Sequence, residues 1–273
     1  MSRRLPWSSN RPKSLASEAL GQASNLPHFI MSRTLFISDL HLSPDLPRVT
    51  QGFLSYLKQA QGATALYVLG DLFEAWVGDD NLDDYNVAVI NAFRTLSDSG
   101  TRLFFVHGNR DFLLGEGFTQ ATGGTLLPDS QAIDAEGEHL LVMHGDQLCT
   151  SDEKYMAFRA QSRDPAWQQM MLEKPLDQRL MIANMWRMQS KAINSNKPEN
   201  IMDVTPEDVV RVMQDAGVKT LLHGHTHRPD VHALEVAGQT ARRMVLGDWR
   251  EDSGEAITGI ADAQGLRLET WHF

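Results

Sequence analysis

The 273-residue sequence predicts an α/β fold, and three observations carry that reading. Short apolar runs stop abruptly in polar or small residues, strand-like and helix-like patterns alternate between them, and one long stretch, 151–202, contains no strand pattern. The runs are Thr34-Leu35-Phe36 before Ile37-Ser38-Asp39-Leu40-His41, Ala65–Leu69 before Gly70-Asp71, Leu103–Val106 before His107–Asp111, Leu140–Met143 before His144-Gly145-Asp146, and Thr220–Leu222 before His223–His227. Each is too short for a helix and too uniformly apolar for a strand with one wet face, so each is expected to be buried on both faces. They should deliver Asp, His and Asn to one edge of a sheet, where open α/β sheets place their sites.

Taken in order, residues 1–30 are rich in Ser, Asn, Pro and Arg without an apolar period and read as a disordered extension. Met31, directly before the first strand, is a second candidate start. From Thr34 a strand at 34–39, a helix near 47–60, a strand at 65–70, a helix near 83–98 and a strand at 103–107 follow. This rhythm predicts parallel pairing through right-handed crossovers. A short pattern at 125–133 and a strand at 139–144 flank Glu136-Gly137-Glu138, which suits a hairpin turn.

Residues 151–202 hold seven of the twelve methionines and read as two helices, near 152–172 and 176–195, inserted as a lid. The rhythm resumes at Thr205-Pro206-Glu207-Asp208, where Thr suits an N-cap, Pro the first helical position and Asp208 a capping-box-like contact. That helix should end at Gly217, ahead of a strand at 219–223. Met244–Leu246, Ala256–Ala261 and Leu266–Trp271 look like antiparallel strands, with turns at 252–254 and 263–265.

Composition narrows the function. The formal charge is −10, but residues 1–30 carry Arg3, Arg4, Arg11 and Lys13 against Glu18, so the remainder stands at −13. Such a body is a poor generic nucleic-acid binder, and an anionic substrate would need metal ions or a local basic patch. The single cysteine, Cys149, excludes an internal disulfide framework and fits a reducing compartment. No apolar run approaches the roughly 20 residues of a membrane span, and residues 1–30 lack the apolar core of a signal peptide. Contact with lipid would be peripheral. No motif calls for an obligate protein partner.

The strand ends supply Asp39, His41, Asp71, Asn109, His144, His225 and His227, too many ligands for one ion that keeps an open position. Two ions about 3.5–4 Å apart, bridged by one carboxylate, would use them all. Without thiolates the set favours Mn²⁺, Fe²⁺ or Zn²⁺ over softer metals. His225-x-His227 is expected in an extended segment that points both rings the same way. His107 and His223 fall inside strand patterns and read as core residues.

In this order Asp39-x-His41, Gly70-Asp71, Gly108-Asn109-Arg110-Asp111, His144-Gly145-Asp146 and Gly224-His225-Thr226-His227 resemble the calcineurin-like metallophosphoesterase family, from about Thr34 to the last strand. Gly70–Asp80, Gly108–Leu113 and His144–Asp152 are similar to its branch that cleaves the pyrophosphate of a lipid-linked sugar nucleotide in lipid A biosynthesis. The resemblance implies a sandwich of two mixed β-sheets flanked by helices, with the helical lid inserted. It implies one metal held by Asp39, His41 and His227, a second by Asn109, His144 and His225, and Asp71 bridging, with two Mn²⁺ the expected pair. Asp71, Asn109 and Arg110 would carry catalysis. Substrate would be held by Asn109, Arg110, Asp152, Tyr155, Arg187, Ser190, Asn194, Lys197 and His225, with the protein peripheral on the cytoplasmic leaflet of an inner membrane.

Position 110 bears on the bond cleaved. The wider family usually carries His after the Asn, able to protonate an alkoxide leaving group, whereas Arg110 cannot give up a proton near neutral pH. A phosphate leaving group needs no proton, only charge compensation, which a guanidinium supplies. On the lid, Arg187, Ser190, Asn194 and Lys197 share one helical face. Met181, Met185, Met188 and Ala192 line a neighbouring one, which reads first as core and second as packing for acyl chains. Two rivals stand: a phosphoesterase acting on a soluble dinucleotide or cyclic nucleotide, and a metal-free scaffold of the same fold.

Overall fold

The computed structural model describes residues 32–194 and 203–273. The expected extension at 1–30 and position Lys197 lie outside them, as do the side chains of Ala192 and Asn194.

Two mixed sheets form. The first has strand order β11-β10-β1-β2-β3-β4, built from β1 (Thr34–Ile37), β2 (Ala65–Leu69), β3 (Arg102–Val106), β4 (Thr125–Leu126), β10 (Glu255–Asp262) and β11 (Gly265–His272). The second has order β5-β6-β7-β9-β8, from β5 (Ser130–Ala135), β6 (Glu138–Met143), β7 (Thr220–His223), β8 (Asp230–Val236) and β9 (Gln239–Val245). The apolar runs are therefore split between two sheets and do not line one edge. β1, β2 and β3 pair in parallel in the first, while β6, β7 and β9 do so in the second.

The period of two along these strands explains why the runs are apolar throughout. Phe36, Tyr67, Leu69 and Val106 meet Leu140, Val142, Leu222 and Met244 in the core between the sheets. The alternate residues Leu35, Ile37, Leu66, Val68, Leu103 and Phe105 pack with residues of α1 (Pro47–Gln59), α2 (Asp84–Asp98) and α3 (Glu116–Thr122). On the far side of the second sheet, Leu141, Met143 and Leu221 pack with Val209 and Met213 of α7 (Pro206–Ala216). The order of layers is helix, sheet, sheet, helix.

The stretch after β6 holds three helices where two are expected: α4 (Glu153–Ser162), α5 (Pro165–Leu172) and α6 (Leu176–Asn194). Proline cannot continue a helix, and Asp164 caps the next by accepting from Trp167 N at 2.8 Å, so the first segment breaks there. At α7, Pro206 takes the first turn, but Thr205 makes no side-chain cap. The Thr150 hydroxyl occupies both would-be partners instead, 2.7 Å from Thr205 Oγ1 and 2.5 Å from Asp208 Oδ2. The tail also differs from expectation. Met244 and Val245 belong to β9, which runs parallel to β7 and antiparallel to β8, while only β10 and β11 form the expected antiparallel pair.

Candidate metal centre

The parallel strands of both sheets end on the same side, and their following loops carry the predicted ligands. Asp39 and His41 follow β1, Asp71 follows β2, Asn109 follows β3, His144 follows β6, and His225 and His227 follow β7. The loops interlock through backbone bonds: Asp39 N donates to Gly70 O (3.1 Å), His41 N to Asp71 O (3.0 Å), and Gly224 N to His144 O (2.9 Å). Gly108 lets β3 close on β2, since a Cβ there would overlap the Asp71 carboxylate and backbone nitrogen.

Two Asp/His groups with the spacing of metal sites result, Asp39, His41 and His227, and Asp39, Asp71 and His144. Asp39 is common to both, while Asp71 of the second group also faces His41 of the first. Asp71 Oδ2 is 3.8 Å from His41 Nε2, and its Oδ1 is 3.7 Å from His144 Nε2. His41 Nε2 and His227 Nε2 are 3.3 Å apart, and His227 Nε2 is 3.4 Å from Asp39 Oδ1. On the other side, His144 Nε2 lies 3.1 Å from Asn109 Oδ1 and 3.2 Å from His225 Nδ1. His144 Nδ1 donates to Leu69 O at 2.8 Å, which leaves Nε2 as the atom able to ligate a metal. His107 and His223 stay out of the cluster: each ring donates to a backbone carbonyl, of Leu114 and Gly224, at 2.8 Å.

The backbone is strained at these residues. Seven described non-glycine residues have positive φ, and five of them are Asp39, His41, Asp71, His225 and His227. Left-handed backbone costs a non-glycine residue of order 1–3 kcal/mol, and such strain clusters at functional sites. It also corrects the reading of His225-x-His227. With φ of 69° and 53° the segment is turned, not extended, so His225 joins His144 while His227 joins His41 and Asp39.

Electrostatics divides the donors. Burial would raise Asp39, but the imidazoles of His227, His144 and His41 outweigh it and hold the carboxyl far below its usual range. Burial opposes charge on His227, yet Asp39, Asp248 and Asp71 together raise it to about 9. His225 goes the other way, to about 4, because burial and the neighbouring His144 both disfavour its cation. Asp111 is pushed up to about 6 by burial and by Asp71; it accepts from Gly108 N and Leu72 N at 2.7 Å and so splints the loops after β3 and β2. Together the oxygen and imidazole donors fit divalent ions of intermediate hardness.

A cleft of about 590 Å³ opens beside this cluster, roofed by α4, α5 and α6. Asn109, Arg110, Asp152, Tyr155, Arg187, Ser190 and His225 all line it. Arg110 Nε is buried there without a hydrogen-bond partner among the described residues. Three of the lid residues are already engaged, Arg187 by donating from Nε to Glu74 Oε1 at 2.7 Å. Asp152 caps α4 by accepting from Tyr155 N (3.1 Å), and the Tyr155 hydroxyl donates to Asp146 Oδ2 (2.6 Å) while its ring lies 5.8 Å from that of His225. Met181, Met185 and Met188 are neither core nor cleft wall, being 70%, 56% and 75% exposed on the outer face of α6. The apolar wall comes from Ile182, Trp186, Phe158 and Met171. Sequence reasoning missed this wall because it followed the methionines and not the helical phase of Arg187 and Ser190, which carries Ile182 and Trp186 on the same side.

Sequence reasoning also left four groups unassigned. Asp146 is buried and accepts from Arg159 Nε at 2.9 Å. Asp79 accepts from Trp76 Nε1 and from the backbone of Gly115 and Phe118. Arg179 is buried and pairs with Asp80, tying α6 to the loop after β2. Glu74 sits between His41 and Arg187, and although burial would raise its carboxyl, those two groups and Arg110 bring it to about 2. Among the described residues no helix is long and apolar enough to cross a membrane.

The chain is similar to known proteins over most of its length. A protein from Chromohalobacter salexigens named UDP-2,3-diacylglucosamine hydrolase is 55% identical over 241 residues, spanning 88% of this chain and 98% of that protein. Proteins of the same name from Cellvibrio japonicus and Pseudomonas paraeruginosa are 50% identical over 239 residues and 52% over 234, covering 87% and 85% of this chain and 98% and 96% of theirs. The family profile of calcineurin-like phosphoesterases matches residues 32–229, a span that contains every ligand candidate from Asp39 to His227, and the chain belongs to that family.

Proposed function

We propose that the protein hydrolyses the pyrophosphate bond of UDP-2,3-diacylglucosamine to uridine monophosphate and 2,3-diacylglucosamine 1-phosphate, a step of lipid A biosynthesis. The observation that carries this reading is Arg110. It reaches the cleft from the residue after Asn109, its backbone N–H donates to Asp71 Oδ1 at 2.8 Å, and its buried Nε has no hydrogen-bond partner among the described residues. A guanidinium so placed can accept a charged phosphate leaving group and cannot protonate an alkoxide. The name borne by the relatives supports the same substrate.

Asp39, His41 and His227 would hold one ion, Asn109, His144 and His225 the other, and Asp71 both; the donors suit Mn²⁺, Fe²⁺ or Zn²⁺, and of these Mn²⁺ is the pair that the family resemblance implies. When bound, such ions supply a nucleophilic water near neutral pH and Lewis acidity at phosphorus. The chain's own residues position the substrate. Arg110 and Arg187 neutralise phosphate charge, Asn109 and Ser190 offer hydrogen bonds, and Ile182, Trp186, Phe158 and Met171 give the acyl chains a dry wall. Asp152, Tyr155 and His225 close the end nearest α4, and Asn194 and Lys197 complete the substrate set in this reading. In this reading the protein works peripherally at the cytoplasmic leaflet of the inner membrane, which the exposed Met face of α6 supports; among the described residues no helix is long and apolar enough to span it.

The test is uridine monophosphate release from the lipid nucleotide with Mn²⁺, beside a soluble sugar nucleotide. Fast release from the lipid substrate alone is expected. Equal turnover of both would overturn the lipid reading, and no metal-dependent release from either would overturn the hydrolase.

A further inference from the structure

We propose that Glu74 is a positioning residue that couples the helical lid to the metal centre, setting the His41 imidazole with one carboxylate oxygen and the Arg187 guanidinium with the other. Its Oε2 lies 3.2 Å from His41 Nδ1, and its Oε1 accepts from Arg187 Nε at 2.7 Å. The two partners are 146 positions apart in sequence, one in the loop after β1 and the other on α6.

The backbone holds Glu74 in place. The ladder between the loops after β1 and β2 continues past the strands: Leu42 N donates to Leu72 O (2.9 Å), Glu74 N to Leu42 O (3.1 Å), and Leu42 pairs with Phe73 as an isolated parallel bridge. Glu74 and His41 are thus registered by main-chain bonds before their side chains meet. The buried Nδ1 of His41 makes no other hydrogen bond among the described residues and lies 3.2 Å from Glu74 Oε2, an arrangement that leaves Nε2 to face Asp71 and His227. A carboxylate on the distal nitrogen fixes the tautomer and orientation of a ligating imidazole, and loss of such a partner typically costs 10–100-fold in metal affinity.

The same carboxylate sets the lid. Arg187 lines the cleft, and its bond to Glu74 ties α6 to the catalytic end of the sandwich, eight residues beyond the Arg179–Asp80 pair at the start of that helix. Glu74 therefore links where a metal is held to where an anionic substrate is met. The lid half of this inference rests on the phosphohydrolase reading above, whereas the metal half does not.

Mn²⁺ titrated calorimetrically into metal-free wild type, Glu74→Ala, Glu74→Gln and Arg187→Ala reads the metal half directly. Glu74→Ala should weaken the His41-containing site by about 10–100-fold. Glu74→Gln should fall between, since one amide oxygen cannot serve two donors. Arg187→Ala should bind Mn²⁺ as wild type does. On the lipid nucleotide, Glu74→Ala and Arg187→Ala should each raise KM, and the double variant should raise it by less than the product of the two. If Glu74→Ala does not fold, Glu74→Gln and the Arg187 variant carry the comparison. Mn²⁺ affinity within twofold of wild type in both Glu74 variants would overturn the metal half, and multiplicative KM effects would overturn the coupling. Should the lipid nucleotide prove not to be a substrate, the Mn²⁺ titration still decides the role of Glu74 at His41.

Discussion

At the scale of single residues, Arg110 and His227 make the sharpest predictions. Arg110→His should lose most of the hydrolysis of the pyrophosphate, because an imidazole restores a proton donor that a phosphate leaving group does not need and removes a permanent charge that it does. Unchanged kcat and KM would refute the leaving-group argument. His227 governs a pH effect. In the metal-free protein its pKa is raised to about 9 from 6.5, so its contribution to stability is complete below about 6.5 and is lost as the pH climbs through 9. The melting temperature of metal-free protein should therefore fall across that window, and a flat profile would count against the His227–Asp39 pair. The candidate ligands that the fold gathers were legible in the sequence because each follows a short apolar run. Glu74 was not, since a carboxylate three residues past Asp71 carries no periodic or spacing signal of its role.

At the scale of elements, α6 separates what pattern can and cannot tell. The sequence shows a Met stripe beside a polar face, but only the phase of the packed helix says which of them turns inward. Ile182, Trp186, Arg187 and Ser190 turn in, while Met181, Met185 and Met188 turn out with Leu180. Exchanging the three methionines for Gln should cut co-sedimentation with phosphatidylethanolamine and phosphatidylglycerol vesicles several-fold, while hydrolysis of detergent-dispersed substrate persists. Undiminished vesicle binding would remove this face from the membrane contact. The hairpin of β8 and β9 escaped notice for a different reason. Its turn is Ala237-Gly238, both at positive φ, and Ala at the first position hides the usual Asn-Gly signal.

At the scale of the whole molecule, the core between the sheets brings two sets of strand ends together. Phe36 is fully buried there, opposite residues of β6 and β7. Phe36→Ala should cost about 3–5 kcal/mol in denaturant unfolding, and a loss below about 1 kcal/mol would show that the sheets are held together elsewhere. Burial on both faces told the sequence reader that the strands were central but not that they belonged to two sheets, because parallel strands of either sheet read alike. The left-handed backbone at Asp39, His41, Asp71, His225 and His227 has a consequence for laboratory evolution. Under selection for heat resistance alone, glycine at these five positions would relieve strain that only activity justifies. A thermostability screen without a turnover filter would erode the active centre before it touched the core.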